Sequence, residues 1–248
     1  MGAKILLFEA STMGGDCLNS GCVPSKALLA AAKAAHHAHG APRMGVMGTP
    51  PQIDFPAVKA HVAAVIDGIA PHDSIARFEA LGVTVISEHA AFTSPREAAS
   101  KHHKVRAKYF VIASGSQPAI PPIDGLSEID FYTNETIFAD PTKPERLVII
   151  GGGPIGIEMA QAHARLGVNV TVIEALSVMA RDDSELVAIL KTQLEADGIT
   201  FIEGVRVASV RQNQPNGMTL TLANGALIKA SHLLIATGRQ PVIDGLNL

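Results

Sequence analysis

The feature that most constrains this chain is a glycine turn set between a short apolar strand and a helix. Leu147 to Ile150 is an unbroken aliphatic run, and Gly151-Gly152-Gly153-Pro154-Ile155-Gly156 follows it directly. In Gly-x-Gly-x-x-Gly the first glycine permits a tight turn. The second lets backbone amides approach a pyrophosphate, and the third lets the helix pack closely on the strand. Pro154 falls in the first helical turn, where its missing N–H costs least. The helix, expected to run to Leu166, offers its free N-terminal amides to an anion. Asn169 to Glu174 is expected as the next strand. It ends in a carboxylate about 20 residues beyond the turn, where an acid accepts from a ribose 2′-hydroxyl. A carboxylate there repels the extra phosphate of NADP, so the segment points to NAD, with NADP less favoured. The alternative is a glycine turn that only packs helix on strand. Strand, glycines, helix and acid in one register favour the dinucleotide.

Around this turn strands and helices alternate. Asp183 to Ala196 is expected as a helix closed by Gly198. Thr200 to Ile202, Arg206 to Arg211 and Met218 to Leu222 are expected as short strands. Asn224-Gly225 is a hairpin signal, and Leu233 to Ala236 a last buried strand. The alternation argues for an α/β fold with a parallel, doubly wound sheet. Upstream, Lys4 to Glu9 has the pattern of a buried strand, Ser11 to Gly21 of a loop, and Cys22 to His39 of a helix. Phe55 to Leu81 suits one or two helices interrupted near Pro71. Val83 to Ser87 and Val105 to Ala113 suit strands, and Pro141 to Pro144 a linker.

The chain has 248 residues, enough for one large domain or two modest ones, and 47% apolar against 17% charged residues is ordinary for an α/β protein. A net charge of −3 leaves no electrostatic footprint for nucleic acid. No apolar run reaches the length of a membrane span. The first ten residues lack the basic start, long apolar middle and cleavage site of a signal peptide, so the cytoplasm is the default compartment.

Only two cysteines occur, Cys17 and Cys22, with four residues between them. In an ideal helix their Cα atoms would stand roughly 8–9 Å apart, whereas a disulfide wants about 4.4–6.8 Å. If they bond, the helix start must be distorted, and Gly21 and Pro24 suit that distortion. A strained, exposed disulfide is easily reduced and more often catalytic than structural. A helix N-terminus nearby would also favour a thiolate. Metal binding is the competing reading. It needs further soft ligands, and none stands at zinc spacing. His36, His37 and His39 fit a solvated helix face, and no metal is assigned. Inert buried cysteines are the other alternative.

The segment from Gly14 to Lys26 carries Gly-Gly-x-Cys, then four residues, then Cys-x-Pro-Ser-Lys. In this it resembles the pyridine nucleotide-disulfide oxidoreductases, most closely their dihydrolipoamide dehydrogenase-like and mercuric reductase-like members. Ile112 to Pro118 (IASGSQP) and Ile235 to Pro241 (IATGRQP) are similar to two further segments of that family. The resemblance implies two Rossmann-like nucleotide-binding domains. Residues 1–142 would be a partial FAD-binding domain with the redox disulfide, 143–239 an NAD(P)-binding domain, and 240–248 the start of a returning FAD-domain segment. It implies an FAD-dependent NAD(P)H:disulfide oxidoreductase in which nicotinamide, flavin and the Cys17–Cys22 disulfide exchange an electron pair. Cys17 would exchange with substrate, Cys22 would face the flavin, and Lys26 would sit by the flavin and pair with Glu158. Glu9, Gly14, Gly15, Asp16, Ala90, Ser114, Gly115 and Ser116 would line FAD, and Gly238 and Arg239 would also touch cofactor. Asp16 departs from the family, which has Thr or Val there, and would add a negative charge near the flavin phosphates.

The implied partners are a small-molecule or lipoyl-type disulfide, or Hg(II), and a second subunit of a homodimer. The resemblance further implies a flavin glycine loop before Lys4, and a last flavin segment and a dimer-forming domain beyond Leu248. The expectation is therefore a flavin domain short at both ends, with weak FAD retention and little turnover.

Overall fold

The computed structural model describes residues 2–213 and 217–248. The chain opens with β1 (Ile5–Phe8), α1 (Gly15–Asn19), α2 (Cys22–Gly40), α3 (Phe55–Ile69) and α4 (Ile75–Ala80). β2 (Val83–Ile86), β3 (Ala91–Ser94), β4 (Glu97–Ala99), β5 (Lys104–Arg106) and β6 (Ser116–Pro118) follow. β1 and β2 pair in parallel, Ile5 opposite Val83, and β3, β4 and β5 form an antiparallel meander. The remainder is β7 (Arg146–Ile150), α5 (Pro154–Arg165), β8 (Asn169–Glu174), α6 (Ser184–Ala196), β9 (Ile199–Glu203), β10 (Val207–Gln212), β11 (Met218–Leu222), β12 (Leu227–Ala230), β13 (His232–Ile235) and β14 (Arg239–Pro241).

Four of these strands make a parallel sheet in the order β13-β7-β8-β9. Strand side chains alternate between faces, and here both faces are buried. Leu147, Ile149, Val170, Val172 and Leu234 join the core shared with α2, α3, α5 and α6. Val148, Ile150, Ile173, Leu233 and Ile235 join the core under β10, β11 and β12. A parallel sheet covered on both faces is built from near-continuous apolar strands, which is the composition of Leu147–Ile150 and Leu233–Ile235. The parallel sheet agrees with the reading of the sequence. Its second face is covered by the antiparallel meander β10-β11-β12 rather than by helices.

Helix starts follow their caps. The Asp54 carboxylate accepts from Ala57 N at 3.0 Å, and the Asp183 carboxylate from Glu185 N at 2.9 Å. Pro71 divides Phe55–Leu81 into two helices, α3 and α4, with a 3-10 turn between them. Two expectations are corrected. Ser11–Gly21 is not wholly loop, because Gly15–Asn19 forms a short helix. Val105–Ala113 is not a strand: β5 ends at Arg106, and residues 107–115 lie outside any strand. Ala107 N donates to Arg96 O at 3.2 Å, but beyond it no strand among the described residues lies alongside, so the apolar pattern meets solvent, with Val111 90% exposed and Tyr109 78%. Phe110 folds in, its ring edge-on to Phe92 at 4.9 Å.

His163 on α5 is fully buried, its Nδ1 2.8 Å from the Met159 carbonyl and its ring 6.0 Å from that of Phe55. Burial, and then the nearby Lys59 cation, push its pKa down from 6.5 to about 4. The unfolded chain therefore takes up a proton near pH 6.5 that the folded chain refuses. Stability from this group is full above that value and drains as pH falls toward about 4, by on the order of 3 kcal/mol. His163→Gln should flatten this limb of a urea-unfolding profile taken between about pH 7 and about pH 4. An unchanged slope would show that the buried imidazole is not its source.

Candidate active site

Two helices begin at the same place. α2 starts at Cys22 and α5 at Pro154, and the two pack against each other. Ala27, Leu28, Ala32 and Ala35 of α2 and Met159, Ala160 and Ala162 of α5 belong to one core. Small side chains let the two backbones approach closely. Lys26 and Glu158 each lie four residues inside their helix, and Lys26 Nζ donates to Glu158 Oε1 at 2.5 Å. The side chains are 60% and 38% exposed, so the pair aligns the helix starts more than it stabilises the fold.

The cysteines flank a helix break. α1 stops at Asn19, and Ser20 and Gly21 leave helical geometry before α2 begins. A Cβ at Gly21 would lie 2.9 Å from the Asp16 carbonyl oxygen and 3.2 Å from Cys17 Cα. Only glycine lets the chain fold back this tightly, and that brings Cys22 to Cys17. The distortion expected of a bonded pair is present as a complete break. Both residues are exposed free thiols, the dithiol form of the pair. Forming the bond needs an oxidant, and without one the two thiols remain in contact. That contact with Cys17, with some desolvation, raises the Cys22 pKa, and the Lys26 cation one turn along opposes the rise only weakly.

At the other helix start the glycines divide their tasks. Gly151 has φ +115°, and a Cβ there would meet the Ala236 carbonyl oxygen at 2.3 Å. This turn therefore lies against the segment leading to Gly238. A Cβ at Gly156 would lie 2.0 Å from the Gly151 carbonyl oxygen, so helix and turn are in backbone contact. A Cβ at Gly153 would meet nothing within 4 Å. The space over Gly153 is open, and beside it Ile155 and Gly156 present N–H groups that have no carbonyl one turn earlier in the helix. Glu174 ends β8 beside this turn. Its Oε2 accepts from Gly152 N at 2.7 Å and its Oε1 from Leu176 N at 2.9 Å. Each oxygen keeps a lone pair free for a ribose hydroxyl. Glu203 stands opposite Glu174 in register at the end of β9, its pKa lowered by Lys191 and the Val178 N–H. Open cradle, free amides and acid fit a dinucleotide.

At the β1–β2 edge, Glu9 follows β1, its backbone N–H donating to Ile86 O at 3.0 Å and its carboxylate accepting from Ser11 N at 2.8 Å. Gly14 and Gly15 both have positive φ, and a Cβ at Gly15 would meet nothing within 4 Å. Ala90 lies half-buried between β2 and β3, and Ser114 and Gly115 lie exposed just before β6. The end of the chain returns to this part: Val242 N donates to Gly115 O at 3.1 Å and Phe92 N to Leu246 O at 2.8 Å. A strand-end acid and an open glycine turn fit an adenosine ribose and a pyrophosphate.

Arg239 and Asp16 meet each other. The Arg239 guanidinium is given over to protein partners. Nε donates to Ser116 Oγ at 2.8 Å, Nη1 to Asn134 Oδ1 at 2.8 Å and Nη2 to Ser116 O at 2.6 Å. Nη2 also lies 2.9 Å from Asp16 Oδ2, so the Asp16 charge is matched within the protein. Asn134 was not a sequence candidate. It stands 105 residues from Arg239 and belongs to no motif, and its burial among polar partners emerges only on folding. Among the described residues, no three His, Cys, Asp or Glu side chains gather where they could hold a metal ion, and no helix is long and apolar enough to cross a membrane.

The family model described as pyridine nucleotide-disulphide oxidoreductase matches residues 1–247. A mercuric reductase from Streptomyces lividans is 36% identical over 255 residues, covering all of this chain and 54% of that protein. A dihydrolipoyl dehydrogenase from Thermus scotoductus is 32% identical, with the same coverage of both. The Cu(II) complex of the HOCl-induced flavoprotein disulfide reductase RclA from Escherichia coli superimposes with a TM-score of 0.85 at 26% identity, over 99% of this chain and 53% of that one. The chain thus spans about half the length of the relatives it matches.

The open space over Gly153 gives a direct test of the cradle. Gly153→Val puts side-chain atoms where only a ligand would meet them. Stability should change by no more than about 0.5 kcal/mol, while NADH affinity, read by fluorescence titration, should fall at least about tenfold. Undiminished affinity would place the dinucleotide elsewhere.

Proposed function

Because the chain belongs to the pyridine nucleotide-disulphide oxidoreductase family, we propose that it carries the electron path between a nicotinamide and the Cys17–Cys22 pair, in an FAD-dependent NAD(P)H:disulfide oxidoreductase of the dihydrolipoamide dehydrogenase kind. The observation that carries this reading is the Lys26–Glu158 contact at 2.5 Å. It joins the helix that starts at the thiols to the helix that starts at the dinucleotide turn. A bound flavin supplies the two-electron exchange between the two centres. Lys26 would hold positive charge beside Cys22, favouring the thiolate that forms when the pair is reduced. Glu158 would hold the Lys26 ammonium in place. Cys17, exposed at the far end of the break, would meet the substrate disulfide.

A second reading, in which the substrate is Hg(II), draws on the 36% identity to a mercuric reductase. Two exposed thiols in contact are soft ligands of the kind that cation prefers. Lipoamide and Hg(II), offered separately under the same conditions, distinguish the two substrates.

For the electron path, chain oxidised to the disulfide is mixed anaerobically with FAD and NADH. Two thiols per chain should appear by maleimide labelling, and Cys22→Ser should give no such gain. NADH consumption without new thiols would overturn the assignment. For the nucleotide, the Glu174 and Glu203 carboxylates at neighbouring strand ends disfavour a 2′-phosphate. NADPH should bind at least about tenfold more weakly than NADH, and Glu174→Gln should narrow that gap. Equal affinities in the unsubstituted chain would defeat the preference for NAD.

A further inference from the structure

α1 is five residues long and carries Cys17. A helix of that length does not hold itself in place. Leu18 is its one buried residue, and the rest of its attachment is polar and closes a ring. Ser20 Oγ donates to Asp16 Oδ1 at 2.7 Å, Asn134 Nδ2 donates to the Ser20 carbonyl at 3.2 Å, Arg239 Nη1 donates to Asn134 Oδ1 at 2.8 Å, and Arg239 Nη2 returns to Asp16 at 2.9 Å. Asp16 precedes Cys17, and Ser20 lies in the break that separates Cys17 from Cys22. The ring therefore grips the chain on both sides of the first cysteine. Its far anchor is β6 and β14, through the Ser116 hydroxyl and carbonyl. Arg239 is only 19% exposed on its side chain, and its planar fork fixes direction as well as charge.

We propose that Arg239, acting through Asp16 and Asn134, is a positioning residue for the Cys17–Cys22 pair: it holds the two thiols at closing distance and so favours the disulfide over the dithiol. The proposal rests on the redox reading of the pair. A thiol pair held in contact has a higher effective concentration of one sulfur at the other, so freeing α1 shifts the balance toward the open dithiol. The closing reaction with glutathione disulfide is balanced. One cysteine thiolate displaces a glutathione and forms a mixed disulfide. The other then displaces the second glutathione. The cysteines lose two electrons, glutathione disulfide gains them, and both cysteine protons end on the two glutathiones released.

The test equilibrates the full chain in glutathione redox buffers at 25 °C and counts thiols by maleimide mass shift. Arg239→Met should move the equilibrium constant toward dithiol about tenfold, equivalent to about 30 mV. Asn134→Ala leaves the Arg239 charge and its contact with Asp16 in place and removes the Asn134 bridge between Arg239 and Ser20, and it should move the constant in the same direction. Arg239→Lys keeps the cation but loses the fork, and should recover only part of the shift. Circular dichroism at the same temperature establishes that each variant is folded, and Asn134→Ala carries the test should Arg239→Met not fold. An equilibrium constant within twofold of the unsubstituted chain in Asn134→Ala overturns the proposal, as does full recovery in Arg239→Lys. If the unsubstituted chain forms no disulfide in excess glutathione disulfide, the redox reading itself fails and takes the proposal with it.

Discussion

The close packing of α2 on α5 is the constraint on which the rest depends. Small residues line the contact, Ala27, Ala32 and Ala35 from one helix and Ala160 and Ala162 from the other. Two backbones that approach this closely cannot slide without opening voids, and interiors do not tolerate voids cheaply. The register of the contact sets where each helix begins. Because both begin at the same end, a thiol pair and a glycine turn open into one region. The Lys26–Glu158 contact marks that register with charge.

Around this contact, regular structure is broken wherever chemistry is expected. The break at Ser20 and Gly21 turns one continuous helix into two and returns Cys22 to Cys17. The turn at Gly151 does the same between strand and helix, with its backbone lodged against Ala236. Each break leaves amides or carbonyls without regular partners, and side chains take them up. Glu174 accepts from Gly152 and Leu176, and Asn134 donates to Ser20. The charges are matched in the same local way. Asp16, foreign to the family pattern at its position, meets Arg239.

The half of the chain around Gly151 was legible in the sequence because its signals are local. An aliphatic strand, three glycines, a proline and an acid at fixed offsets each act within a few residues of themselves, and β7, α5 and β8 appear where those offsets put them. Pro71 likewise divided α3 from α4 by its own missing N–H. The parts that escaped depend on neighbours. Residues 107–113 have the composition of a strand, but a strand exists only if another lies beside it. Val111 instead stands 90% exposed. Ser11–Gly21 has the composition of a loop, yet Gly14, whose added Cβ would strike Leu18 at 2.2 Å, allows a helical turn to close there.

By itself the sequence determined which chemistry this chain can carry: two cysteines at a fixed interval, a lysine one turn beyond, and a glycine turn followed by an acid. Those are properties of residue type and spacing, and they survive without knowledge of any distant contact. Tertiary structure alone decided what these groups face. The Lys26–Glu158 pairing across 132 residues was implied by the family resemblance and not by residue spacing, and that Arg239 holds Asp16 and Asn134 follows from how two sheets and two helices pack. Partners of that separation leave no periodic trace in the chain, because the energy that joins them comes from the burial of apolar surface elsewhere.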